Sequence, residues 1–280
     1  MAVLKKIYSK EQFFEAFESN DLAIELKKDK KISDKIMNKG KGGILGFCQV
    51  CKFPTLFFID TCHSDNGIVN FRERMVCPIC NLNNRQRFLF SEVIKKAKYY
   101  KNCQIYIYEQ VTQFYKKLKR IYPNIIGSEY LGSKYNSGMV VNGIRHEDST
   151  KLSFSDELFD LVLSFDVFEH VFDLEQSFNE SYRILKPKGR IIFTIPFYAE
   201  RNATVKRAEI VNGDIVLFKE AQYHGNPISE KGSLVVYDIS WDIFDFLKKC
   251  GFSEIYIISG YNRFNGNIGT LLTYFEAIKS

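Results

Sequence analysis

Four cysteines fall in two pairs, Cys48-Gln-Val-Cys51 and Cys77-Pro-Ile-Cys80, with 25 residues between the pairs. A two-residue gap lets both thiolates of a pair reach one ion. Two such knuckles complete a tetrahedral four-sulfur site of the kind that holds Zn2+. The stretches Phe53–Thr61 and Asn66–Val76 between them read as strands of a small ribbon with too little apolar mass to fold alone. A bound ion would supply the missing folding free energy. A closed four-thiolate site has no open position, so the zinc expected on Cys48, Cys51, Cys77 and Cys80 is structural. The competing reading is two pairs of buried or redox thiols. Cys62 and His63 lie between the pairs as substitute ligands, whereas Cys103 and Cys250, at element ends, read as ordinary buried cysteines. A second chemically capable residue is His224, in Gln222-Tyr223-His224-Gly225-Asn226-Pro227. An imidazole of ordinary pKa near about 6.5 can take a proton from a hydroxyl or an amine. The plainer reading of this segment is a turn with a hydrogen-bonded histidine.

The elements that must position these residues follow from periodicity and caps. Residues 1–44 read as a helical segment, with Phe13, Phe14 and Phe17 on one side and a basic, Gly-terminated end. Residues 45–98 read as a zinc-ribbon module followed by a connecting helix that starts near Asn83 or Asn84. From about residue 99 strands and helices alternate. Gln104–Tyr108, Ile125–Glu129, Phe159–Phe165 and Arg190–Ile195 are apolar strands. Val111–Tyr122 and Asp173–Leu185 are helices. A later helix is capped by Ser240 and stopped at Gly251, and Ile255–Ile258 with Leu271–Ala277 could form a terminal antiparallel pair. Such alternation indicates a doubly wound, Rossmann-like, mainly parallel α/β sheet that binds ligands at the carboxyl ends of its strands. Residues 197–238 lack clear sheet periodicity and read as an insertion covering that end. The net charge of +6 on 280 residues permits an anionic partner without demanding one. Seven cysteines, four of them in C-x-x-C pairs, favour reduced thiols and metal in a chain that reads as cytoplasmic, with no secretion signal and no apolar run long enough to span a membrane.

Several motifs recur in order. They are C-P-x-C-x-L-N-x-R-x-R from Cys77, E-Q-V-T from Glu109, S-E-Y-L-G from Ser128, R-H-E-D from Arg145, F-D-V-x-E-H from Phe165 and Y-H-G-N-P from Tyr223. Over roughly residues 45–278 this resembles class I S-adenosylmethionine (SAM) dependent methyltransferases of type 11, in a bacterial group that bears a zinc ribbon. The resemblance implies a seven-stranded methyltransferase domain over residues 99–280, with SAM as cofactor. It implies that Glu129, with Tyr130 beside it, meets the ribose hydroxyls, that Asp148 and Ser149 read the adenine edge, and that Asp166 and Val167 line the pocket. His170, in the same segment as Asp166, is a second catalytic candidate beside His224. Tyr198 and Tyr237 are candidates for walls of an acceptor site. The family's glycine-rich first turn is missing, since the chain reads Ile-Tyr-Ile-Tyr-Glu-Gln-Val-Thr there. Side chains would then replace backbone contacts, with Glu109 on the cofactor's ammonium, Gln110 on its carboxylate or amine, and Thr112 capping the next helix.

The leading expectation is methyl transfer to O or N of a small polar acceptor, with a saccharide first. A second reading is an RNA methyltransferase whose ribbon, with the run Lys27-Lys28-Asp29-Lys30-Lys31, offers Arg72, Arg74, Arg85 and Arg87 to phosphates. A third, motivated by the glycine-free turn, is a degenerate scaffold that binds SAM weakly or not at all.

Overall fold

The computed structural model describes residues 2–280. Seven strands form one sheet in the order Ala2–Ile7, Phe252–Asn262, Asn267–Lys279, Leu185–Thr194, Phe159–Phe165, Ile105–Ile107, Ile126–Gly127. The sheet is mixed. Its last four strands run parallel, in register Tyr106 with Ile126 and Val162, and Val162 with Ile191. Asn267–Lys279 pairs antiparallel with Leu185–Thr194. The chain divides into two compact units, Met1–Tyr99 with Tyr256–Tyr274, and Tyr100–Ile255 with Phe275–Ser280.

In the first unit the expectation of an all-helical start is corrected. Ala2–Ile7 is an edge strand, antiparallel to Ile257–Asn262. Its outward Lys5 and Lys6 discourage further strand addition. Helix begins only at Lys10, where the Ser9 hydroxyl accepts from the Gln12 N–H. The helix Asn20–Lys39 follows and ends at Gly40. Buried Glu25 and Asp29 hold that helix by ion pairs to Arg263. The ribbon also differs from expectation. Phe53–Asp60 pairs with Lys41–Cys48, not with the stretch before Cys77. Phe71–Arg74 is one turn of helix, because the Asn70 carboxamide accepts the Glu73 N–H, and Val76 alone bridges to Phe58. Asn83 and Gln86 form a capping box at the start of the helix Asn84–Ala97.

In the second unit the buried rings of Tyr106, Phe154, Phe159, Phe168, Phe178 and Phe193 fill the sheet's faces. The helices Gln113–Ile121 and Leu174–Ile184 start at Thr112 and Asp173, whose side chains accept from the third residue on. The helix Ile243–Lys249 starts at Asp242, not Ser240, because the Ser240 hydroxyl donates to the Tyr198 carbonyl. Residues 197–238 are more regular than expected. They form the hairpins Ala208–Val211 with Asp214–Leu217 and Tyr223–Asn226 with Ser229–Leu234. Among the described residues no helix is long and apolar enough to cross a membrane.

Candidate active site and metal centre

Because four strands run parallel, their carboxyl ends share one edge of the second unit, and the loops after them can converge there. The first of these loops, residues 108–112, contains no residue of positive φ. That is why it needs no glycine. Its N–H groups at Gln110 and Val111 donate to one oxygen of Glu129, at 2.7 and 3.0 Å. Burial raises the Glu129 pKa, opposed by those two N–H groups. Glycine is required on the neighbouring strand instead. A Cβ on Gly127 would lie 2.5 Å from the Glu109 carbonyl and 2.6 Å from the Tyr115 ring. Gly127→Ala is therefore expected to destabilise the domain by about 1–3 kcal/mol through overpacking. A thermal melt equal to that of the native chain would mean the loop yields without strain.

The other expected pocket residues have definite partners. The Gln110 side chain donates to the Gly143 carbonyl and accepts from the Arg145 N–H, which ties it to the small hairpin at 140–145. Thr112 caps its helix as expected, accepting from Tyr115 at 3.1 Å. Glu109 lies half-buried beside Gln110, and Tyr130 is 54% exposed against the His146 ring. One oxygen of Asp148 accepts from the Thr150 N–H and hydroxyl, the arrangement of a turn aspartate. Ser149 bonds Ser177 at 2.8 Å. Asp166 adopts a left-handed conformation, φ 55°, and accepts from the Thr194 hydroxyl at 2.8 Å, with Val167 following it. Tyr237 donates to the Phe172 carbonyl, and Tyr198 packs beneath Arg201.

The loop after Phe159–Phe165 brings together residues distant in sequence. The hairpin Tyr223–Leu234 meets it through Val236, whose N–H donates to the Glu169 carbonyl, and through His170 Nδ1, 2.8 Å from the Leu234 carbonyl. This sets the His170 and His224 rings 5.0 Å apart and nearly perpendicular. Both nitrogens face the Glu169 carboxylate, His224 Nδ1 at 3.4 Å and His170 Nε2 at 3.5 Å. His224 is thus in a strand of a hairpin, not a plain turn. Glu169 raises its pKa by stabilising the imidazolium, against the opposing effect of burial. Glu169 itself did not emerge from the sequence. The signal was present: an acid between Phe168 and His170 in the otherwise largely apolar run Phe-Asp-Val-Phe-Glu-His-Val-Phe.

In the first unit the four paired cysteines cluster, with Cys48 and Cys80 sulfurs 3.8 Å apart and those of Cys51 and Cys77 3.9 Å apart. Thiolates at about 2.3 Å from a tetrahedral Zn2+ lie about 3.8 Å from one another, so the spacing fits that ion. Cys62 is exposed and, with His63, lies outside the cluster. The thiols disagree about charge. Contact with Cys80 lowers Cys48 to about 5, while burial and the Cys48 thiolate push Cys51 up to about 12. A divalent cation would let all four ionise. Arg87, fully buried, donates to the carbonyls of Met75, Leu82 and Gly266 and lies over the Phe57 ring. Burial lowers its pKa to about 10, and the thiolates oppose that shift. Arg72 and Arg85 pair with Glu73, and Arg74 with Asp60. All four arginines of the RNA reading thus have partners within the first unit.

Residues 110–193 match the profile of the Methyltransf_11 family, described as a methyltransferase domain. No curated protein matches the chain. Similar solved structures include an S-adenosylmethionine-dependent methyltransferase from Mesorhizobium loti, with 12% identity, 70% of this chain and 98% of that chain covered, and a TM-score of 0.40. Another is phosphoethanolamine N-methyltransferase 2 from Haemonchus contortus, with 14% identity, 69% and 52% coverage and a TM-score of 0.39. This chain carries a SAM-dependent methyltransferase domain, matched over residues 110–193.

Proposed function

We propose that the chain transfers the methyl group of SAM to an oxygen or nitrogen of a small polar acceptor, with a saccharide hydroxyl the first to test. The observation that carries this reading is the Glu169–His170–His224 group, beside Asp166 at the carboxyl end of Phe159–Phe165. Bound SAM supplies an electrophilic methyl group. The chain's share is to hold a nucleophile close and in line with it. Glu129 has one oxygen on the first loop, and its second is the group for the ribose hydroxyls. Tyr130, Asp148, Ser149, Asp166, Val167 and Glu109 are the further candidates around the cofactor, whereas Gln110 acts through the loop it braces. The acceptor's proton leaves at the cluster, where His224, 29% exposed, is reachable and the Glu169 carboxylate favours arriving positive charge. His170 positions the hairpin through its bond to Leu234. We assign a structural Zn2+ to the four-cysteine cluster and no chemical step to it. Against the scaffold alternative, the first loop has no left-handed residue and so needs no glycine for its own backbone.

Isothermal titration with SAM and with its demethylated product tests the cofactor half directly. Glu129→Ala is expected to weaken both by roughly 1–3 kcal/mol, since a charged hydrogen-bond acceptor is lost. Glu129→Gln, which keeps an oxygen for the loop, should recover part of it. Unchanged affinity in the alanine variant would remove Glu129 from the site. Release of demethylated cofactor against a panel of sugars and nucleotide sugars tests the acceptor half.

A further inference from the structure

We infer that Glu169, His170 and His224 form a second metal site, for a divalent transition-metal ion bound by two imidazoles and one carboxylate. Glu169 is 0% exposed, and neither of its oxygens has a hydrogen-bond partner. A buried carboxylate left so is costly unless a cation answers it. Its ion-pair contacts are with the two histidines, at distances longer than the 2.7–3.2 Å usual for N–H···O bonds.

The tautomer of His170 sharpens the case. A carbonyl oxygen only accepts, so Nδ1, 2.8 Å from the Leu234 carbonyl, carries the ring proton. With Nδ1 so engaged, Nε2 is the ring nitrogen that faces the carboxylate, 3.5 Å away. An imidazole whose far N–H donates to a backbone carbonyl is also the usual setting of a metal-bound histidine. The spacing agrees. Ligand atoms about 2.0–2.2 Å from a shared ion, in tetrahedral arrangement, stand about 3.4 Å from one another. The glutamate oxygen lies 3.4 and 3.5 Å from the two nitrogens, and the three ligand atoms lie within 4.8 Å of each other.

Two histidines and one carboxylate leave open coordination positions. In the acceptor site proposed above, those positions would take hydroxyl groups, a vicinal pair above all, and the ion would acidify the one that reacts. His224 would then be a ligand, and the ion-bound hydroxyl would give its proton to solvent. The ion's role rests on that functional reading; its binding does not.

Co2+ titrated into the chain loaded with one zinc per molecule, on the four cysteines alone, tests the site. One equivalent is expected to bind with the weak visible bands of nitrogen and oxygen ligands and without the strong near-ultraviolet bands of thiolates. Glu169→Gln and His224→Ala should each weaken this binding at least about tenfold. Their SAM affinity and thermal melts should match the native chain, showing that the variants are folded. Absence of Co2+ binding at millimolar concentration would overturn the site, as would variants that bind like the native chain; the group would then be a proton-holding Glu–His cluster. Co2+ binding in a chain that takes up no SAM would sink the methyl-transfer reading and leave the metal site standing.

Discussion

Cys77→Ser is expected to abolish stoichiometric zinc and to unfold the ribbon around it. Isolated four-ligand zinc modules draw about 10–16 kcal/mol of apparent free energy from their metal, and that energy is folding free energy. The hairpin Lys41–Cys48 with Phe53–Asp60 has little to replace it, because Leu45, Phe53, Leu56 and Phe58 are all exposed. Arg87 would add to the loss, since its buried charge sits against the cluster's thiolates. Metal content by mass spectrometry should fall well below one ion per chain, and amide exchange should quicken across residues 41–97. Cys62→Ser, outside the cluster, is the control and should change neither. Full zinc and an unaltered melt in Cys77→Ser would contradict the assignment.

His224→Ala is expected to lower turnover roughly 10²–10⁴-fold, the range lost when a group that manages the acceptor's proton is removed. SAM affinity should hardly move, because the contact that His224 makes is to Glu169 and not to the loop at Glu129. A variant with equal turnover on the acceptor found in the panel would demote His224 to a hairpin residue. If turnover and SAM affinity fell together, the hairpin would be shaping the cofactor pocket rather than acting on the acceptor.

Wherever the cause was local, the sequence was readable. The four clustered cysteines follow from a two-residue spacing that closes one knuckle regardless of what surrounds it. Thr112, Asn83 and Asp173 begin helices because a short polar side chain can reach an N–H three residues on. The strand Phe159–Phe165 was legible in full, because Phe159, Leu161, Val162, Leu163 and Phe165 make a short apolar run of strand length. Two turns were readable and were passed over. Asn142-Gly143 and Asn212-Gly213 both have positive φ at each position, the dipeptide that closes two-residue hairpins.

What tertiary structure decided has one common feature: the partners are far apart in the chain. Ala2–Ile7 is a strand only because Ile257–Asn262 offers it a ladder, and its six residues alone carry no periodicity to say so. The glycine that the first loop lacks is supplied by Gly127 on the next strand, where two backbones approach, so its absence from the loop could not be interpreted in one dimension. Glu169 and His224 are 55 positions apart. Nothing local to either marks them as one site, because the carboxylate acquires its meaning from being buried without hydrogen-bond donors and faced by two imidazoles. Sequence thus offered most of the residues that could do chemistry, since side-chain type and short-range spacing are local properties. The packing of the sheet edge and the hairpin Tyr223–Leu234 settled which of them meet, since burial and convergence belong to the folded chain alone.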